Sequence, residues 1–270
     1  MRTVSILTAA YAPTAKHLAD TMAGVAAQEL PDGWRLEWIV QEDGPEPALA
    51  DLVTALPYAR YEANDAQLGL SQTRNLALSR ATGELIQALD HDDVFLPGAL
   101  SALLPHFDAH PMIHWAVSQA DDLTPVGERV PYESALPYGL LAAGQVNEWA
   151  QEHGGNWPIH CAGLMLRTAT VRALGGWMAT PADDDVAMFA ALSELTSGYN
   201  EPSVKWLYRH HPDQTHRTKH WRTWSTAGRR IALQRAAAVR AAGLKFPAEP
   251  HHQTDHGPVD VGPLKPKKVF

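Results

Sequence analysis

Residues 84–98 read ELIQALDHDDVFLPG: an apolar run of strand length, three carboxylates within four residues, then Leu-Pro-Gly. Glu84 to Leu89 has the length and composition of a buried strand. Pro97 fits the first turn of a helix running to Phe107, where its missing N–H costs nothing. In an open α/β sheet, ligands bind beyond the carboxyl ends of the strands. A strand that empties into Asp90, Asp92 and Asp93 therefore puts negative charge where a ligand would sit. Three carboxylates this close repel one another unless a cation neutralises them or they splay into water. Mg²⁺ and Mn²⁺ take one or two carboxylates together with phosphate oxygens, so Asp-x-Asp at a strand end suits a cation that also holds a diphosphate. The same spacing suits a polar loop in which Asp93 caps the following helix, and spacing alone leaves both readings open.

Outward from this stretch the chain alternates strand and helix signals, the pattern of a parallel sheet covered by helices. Val4–Thr8 reads as a strand, and residues 14–28 as a helix with Leu18, Met22, Val25 and Ala26 at helical spacing. Residues 34–40 and 58–63 follow as strands, and residues 70–79 as a helix stopped at Ala81-Thr82-Gly83. Toward the C-terminus, strands are predicted over 113–119, 127–132, 159–167 and 203–208. Helices are predicted over 136–151, 184–195 and 221–242, with a tight turn at Gly175-Gly176-Trp177. The last helix is basic and rich in alanine, and Trp224, Ile231 and Val239 are expected to form its packed face. Its basic character would also suit an anionic membrane surface. The expectation is one α/β unit over 1–242, with a sheet half at 1–110, a more variable half at 111–242, and a tail at 243–270.

Composition agrees. The chain has 270 residues, of which 45% are hydrophobic and 19% charged, which excludes disordered and collagen-like classes. Cys161 is the sole cysteine, so no disulfide within the chain and no Cys-x-x-Cys zinc site can form, and a reducing, cytoplasmic setting fits. The formal charge of −8 disfavours nucleic acid as the main partner. No apolar run approaches the ~20 residues of a bilayer span, so membrane contact is expected to be peripheral at most. The opening MRTVSILTAAYAP reads as a strand with its turn, not as a secretory leader. The alanine-rich, arginine-rich helices suggest a bacterial source.

Four motifs occur in order over Val4–Leu100: VSILTAAYAP; Glu42-Asp43-Gly44-Pro45 after a strand; Gly69-Leu70 leading to Arg74-Asn75; and Asp90-x-Asp92 followed by Leu96-Pro97-Gly98. Together they resemble glycosyltransferase family 2, whose nucleotide-sugar transferases have the GT-A fold, a Rossmann-like, mostly parallel sheet flanked by helices. The pattern differs at Glu42, Pro45, Ala9 and Ala12. Fainter likeness continues at Leu166-Arg167, Leu174-Gly175-Gly176-Trp177, Asp184-Asp185 and Tyr208-Arg209-His210-His211.

The resemblance implies an inverting transfer from a UDP-, GDP- or dTDP-linked sugar to a hydroxyl on a glycan, a lipid-linked carrier or a small molecule. It implies nucleotide-sugar contacts from Ala9, Tyr11, Asp43, Arg74, Asp90 and His91. It also implies Mn²⁺ or Mg²⁺ on Asp90 and Asp92, and a general base at Asp185 or Asp184. On residues alone, Asp183, Asp184 and Asp185 read equally as helix-capping acids. His211 opens a His- and Lys-rich loop that reads either as a lid over the diphosphate, with His211 on the metal, or as a solvated loop. Trp157 and His160, with Trp149 and Tyr138, are candidates for the acceptor. The pairs His106/His110 and His216/His220 have helical spacing but no motif around them. A retaining GT-A transferase and a nucleotidyltransferase share the sheet and metal, and a binding module without turnover shares the scaffold. A hydrolytic metalloenzyme is the weakest alternative, because no histidine-rich site accompanies the aspartates.

Overall fold

A computed structural model describes residues 1–246. The first half contains β1 (Arg2–Ala10), α1 (Leu18–Ala26), β2 (Trp34–Glu42), α2 (Ala50–Val53), β3 (Ala59–Ala63), α3 (Leu70–Arg80), β4 (Leu85–Ala88), β5 (Val94–Phe95) and α4 (Ala99–Ala109). The second contains β6 (Ile113–Leu123), β7 (Arg129–Pro131), β8 (Gly139–Leu141), α5 (Gln145–Glu152), β9 (Leu164–Arg167), α6 (Thr168–Ala173), α7 (Asp184–Leu195), β10 (Ser197–Arg209) and α8 (Lys219–Ala241). The strands form one mixed sheet in the order β3-β2-β1-β4-β9-β6-β10-β5, with β7 added on β6 and β8 on β10. The first four strands are parallel, as the alternation predicts. Beyond β4 the sheet turns mixed, because β9 enters antiparallel to both β4 and β6.

Strand β1 is buried from Thr3 to Ala10 because helices cover both faces. On one face Val4, Ile6, Trp38 and Leu85 pack under Leu18 of α1 and Leu100, Leu103 and Phe107 of α4. On the other, Leu7, Ile39 and Ile86 pack under Ala77 and Leu78 of α3 and Met188 and Leu192 of α7. A third, small-residue seam joins α7 to α8 through Ala187, Ala190, Ala232 and Ala236.

The structure departs from the periodicity where glycine and proline intervene. The helix expected from Thr14 begins as a 3-10 turn at Ala12–His17, with a break at Ala15. Proline in the first turn supplies no N–H, and only Leu18–Ala26 is α-helical. The amphipathic stretch 136–151 is not one helix. Pro137 and Gly139 (φ 99°) lead it into β8, and Gly144 (φ 86°) turns it into α5. Residues 161–163 form a 3-10 turn before β9. Strand β10 is far longer than 203–208, and it absorbs Pro202 at a register shift between Asn200 and Val204.

Helix α8 buries Gly228, Ala232 and Ala236, not the expected Trp224 face, because the alanine surface of α7 admits close approach only from small residues. Trp224 is 45% exposed. Most of the 243–270 tail lies outside the described residues. No described helix is long and apolar enough to cross a membrane.

Candidate active site

A cleft of about 940 Å³ opens at the carboxyl ends of β1, β2 and β4. Its lining includes Ala9, Tyr11, Asp43, Arg74, Asp90, His91, Asp92, Trp157, His160, Asp184 and Asp185. Tyr138 and Trp149 are not among the lining residues, and Trp149 instead stacks on His153 at 3.7 Å. His211 sits behind the wall, buried, with Nε2 2.7 Å from Asp92 Oδ2.

Three elements converge on Arg74, which lies on α3 and is 2% exposed. Its Nη2 donates to Asp90 Oδ1 at 2.7 Å, and its Nη1 to Asp184 Oδ2 at 3.2 Å. One guanidinium thus bonds the end of β4 and the first turn of α7. Burial opposes its charge, and Asp90 and Asp184 outweigh that and hold it firmly protonated. Burial likewise works to raise the Asp90 carboxyl, and Arg74 overcomes it and keeps it below the usual range. Asp184 goes the other way: burial, aided by Asp185 and against Arg74, pushes its carboxyl up to about 7.

The oxygens of Asp90, Asp92 and Asp93 lie within 4.8 Å of one another, and this is the group among the described residues with donors close enough to share a metal ion. Asp93 differs from the other two. It is buried, does not line the cleft, accepts from the Arg209 N–H at 3.0 Å, and leaves Oδ2 without a hydrogen-bond partner. Burial, reinforced by Asp92 and Asp90, raises its carboxyl well above the ordinary value. The crowding of like charge fits a divalent cation at this strand end.

The neighbouring motif residues also have work inside the fold. Asp43 accepts from the Leu68 N–H at 2.6 Å and the Gly69 N–H at 3.0 Å, which shapes the loop entering α3. Glu42 accepts from Tyr61 and from the amides of Ala48 and Leu49, so this acid builds the loop after β2. The His91 ring lies against Thr14 Oγ1 at 3.1 Å and Ala9 O at 3.3 Å, joining the Asp-x-Asp turn to the end of β1.

Sequence reasoning missed several partners. Asn75 makes a two-way hydrogen bond with the backbone of Trp177, at 2.8 and 2.9 Å. The Arg-Asn and Gly-Gly-Trp motifs are therefore two sides of one contact. Gly176, at φ 71°, lies so close to the Asn75 amide that a Cβ would collide with it. Asp183 is the one non-glycine residue with positive φ (57°) among the described residues, and it directly precedes α7. No local periodicity announces such a residue. Tyr208 packs against His160 at 4.5 Å, and its hydroxyl meets His216 Nδ1 at 3.2 Å. Cys161 is buried beside Asp185, and that burial, with Asp185, raises its thiol well above the normal range.

The loop after β10 forms part of the cleft wall. Gln214 clamps it by donating to Arg209 O at 2.7 Å and accepting from the His211 N–H at 3.1 Å, and Lys16 pairs with Asp213 at 2.6 Å. The two His pairs at helical spacing do not form sites. His106 pairs with Glu201 at 2.7 Å and stacks on Tyr199, whereas His216 and His220 contact different aromatic rings.

Comparison with known proteins gives a consistent picture. The family model described as glycosyl transferase family 2 matches residues 5–161. The chain is 35% identical over 91 residues to the putative colanic acid biosynthesis glycosyl transferase WcaA of Escherichia coli, covering 33% of this chain and 32% of that protein. It is 36% identical over 98 residues to the succinoglycan biosynthesis protein ExoU of Rhizobium meliloti, covering 34% and 28%. The matches thus span about a third of each of those relatives. The crystal structure of S. aureus TarS 1-349 in complex with UDP-GlcNAc superposes with a TM-score of 0.64 at 15% identity, over 80% of this chain and 60% of that one, which shows the shared fold.

Proposed function

The chain belongs to glycosyl transferase family 2, and from that premise we propose that it is a metal-dependent, inverting transferase that moves a sugar from a nucleoside-diphosphate donor to an acceptor hydroxyl. The observation that carries this reading is the Arg74 bridge, which joins the Asp90 end of β4 to the Asp184-Asp185 turn across a single cleft.

In this reading Asp90 and Asp92 would hold Mn²⁺ or Mg²⁺, with His211 fixing Asp92 from behind. The cation, when bound, offsets negative charge on the leaving diphosphate. The protein's own groups do the rest. Tyr11 and the loop shaped by Asp43 receive the nucleotide. Asp184 is committed to Arg74, which makes it a positioning residue. Asp185 is partly exposed and lines the cleft; its Oδ1 accepts from the adjacent Val186 N–H at 2.7 Å, and the Cys161 thiol lies against its carboxylate. Asp185 is therefore the proposed base: it takes the proton of the acceptor hydroxyl as that oxygen bonds to the sugar's anomeric carbon and the bond to the diphosphate breaks. Trp157, held by its Nε1–H to Asn147 Oδ1 at 2.9 Å, and His160 border the acceptor side.

Thermal unfolding with UDP, GDP, dTDP, CDP or ADP, each with and without Mn²⁺, tests the donor site. One nucleotide at about 100 times its Kd should add about 2.7 kcal/mol, a few degrees, only with metal and not in Asp92→Ala. Asp185→Asn should keep that binding and lower kcat by about 10²- to 10⁴-fold. Unchanged turnover in Asp185→Asn would remove the base assignment and favour a retaining reaction.

A further inference from the structure

We propose that the acceptor is an anionic saccharide, bound by Arg217, Lys219 and Arg222 around an aromatic shelf formed by Trp221 and Trp224. The inference rests on the transferase reading above and names the class of its second substrate.

Charge is distributed unevenly. The chain carries −8 overall, yet residues 214–248 hold eight of its 22 Lys and Arg and none of its 30 Asp and Glu. Some of these cations turn inward: Arg235 donates to Leu174 O at 2.6 Å, Arg240 to Glu194, and Arg229 to Asn156. Lys219 and Arg222 do not, and Arg217 meets only neutral groups of its own loop, Gln214 Oε1 at 3.3 Å and His210 Nδ1 at 3.5 Å. All three are exposed, and no described carboxylate lies within 4.0 Å of any of them. The nearest acid in the chain, Asp213, is engaged with Lys16 at 2.6 Å.

These cations flank the cleft itself, because Thr218, His220 and Trp221 line it. Trp221 meets His216 edge-on at 6.1 Å, and Trp224, one turn further, lies 6.5 Å from His220 with 45% of its surface exposed. Flat aromatic faces carry a sugar ring, and guanidinium and ammonium groups beside them bind its carboxylate or phosphate. In the transferase reading the donor's diphosphate has its place at the Asp90-Asp92 end, where a bound cation would neutralise it. The cationic rim is left for the other substrate. A bilayer fits less well, because Trp224 is flanked on the exposed surface by Thr223, Thr226 and Ala227, too little apolar area for a helix lying in a membrane.

Isothermal titration of the full chain, with Mn²⁺ and the nucleotide found above, against hexagalacturonate and hexamannuronate and the methyl ester of each tests the proposal. At least one acid should bind about ten-fold more tightly than its ester, the effect of one charge-assisted hydrogen bond. Arg217→Gln/Lys219→Gln/Arg222→Gln, all at exposed positions, should erase that preference and leave nucleotide affinity unchanged. Equal binding of acids and esters, or binding of neither, overturns the proposal. So does parallel loss of nucleotide affinity in the triple variant, which would assign the cations to the donor diphosphate. Binding to phosphatidylglycerol vesicles that the triple variant loses, with no preference for the acids, would assign them to a membrane. Metal-dependent nucleotide binding is read in the same titrations, so failure of the transferase reading is seen separately.

Discussion

Arg74 carries opposing duties: it neutralises one carboxylate at the strand end and another at the helix start, and it is itself shut away from water. Arg74→Gln should cost about 2–4 kcal/mol, because the buried Asp184 and the half-buried Asp90 both lose their partner, and should lower Tm by several degrees in a thermal melt. Arg74→Lys should recover only part of this, since an ammonium is a point charge without the fork that reaches both acids. Asp183 gives a pH signature. Burial, reinforced by Asp185 and opposed by Arg229, pushes its carboxyl up to about 6, above the unfolded value of about 3.9. The folded state therefore binds this proton more tightly, and ionising the group destabilises the fold progressively from about pH 4 to about pH 6. Asp183→Asn tolerates the left-handed backbone and removes that penalty. Its Tm relative to the parent should rise across this window by the equivalent of about 1–3 kcal/mol and then stay level. At this scale Asp90 and Asp92 were legible in the sequence because a strand end names its own location. The three acids 183–185 were not separable: all border the cleft, but one is left-handed, one is bound to Arg74 and one is partly exposed, and tertiary partners decide among them.

The seam between α7 and α8 sets the position of that acidic turn. Gly228 abuts the Ala182 carbonyl so closely that a Cβ would sit 2.6 Å from the oxygen, and Asp183 lies just beyond. Gly228→Ala should displace the Ala182-Asp183 turn and carry Asp185 with it. The expected result is a stability loss of about 1–3 kcal/mol and a kcat reduced by roughly 10²-fold with the donor's KM little changed, measured by steady-state kinetics and melting. Intact turnover would mean that the turn is held without help from α8. Helix α8 was readable from its alanine and arginine content, but its buried face was not. Hydrophobicity pointed to Trp224, whereas close helix approach selects Gly228, Ala232 and Ala236. The same local logic joined 136–151 into one helix, where two positive-φ glycines and Pro137 divide it.

At the level of the whole chain, residues 1–242 are proposed to unfold as one unit, because β9 lies between β4 and β6, α4 of the first half packs with β6 and β10 of the second, and α3 and α7 share the opposite face. Calorimetry should give one transition with equal calorimetric and van't Hoff enthalpies, shifted as a whole by nucleotide and metal. Two resolved transitions would separate 1–110 from the remainder. The parallel sense of the first four strands was legible, because strand-helix-strand alternation builds parallel pairs, whereas their order in the sheet was not. The pairing of β10 with β6 and β5 joins segments about a hundred residues apart, and no local pattern encodes it.

That pairing bears on how such enzymes can be recombined. Strand β5 lies antiparallel to β10, the Leu96 amide donates to Lys205 O at 2.8 Å, and Arg209 donates to the carboxylate of Asp93 and the carbonyl of Asp92. The aspartate motif is thus stitched to a strand that begins 36 residues after the end of the family match at residue 161. A chimera that keeps 1–161 and takes the remainder from a relative would inherit the motif without the thread that fastens it. Swaps should retain donor chemistry only when β10 travels with the N-terminal half or its contacts are rebuilt. If α8 borders the acceptor as proposed, new acceptor preferences are then more readily gained on α8 itself than in the loop before it, where His211 and Gln214 belong to the stitching.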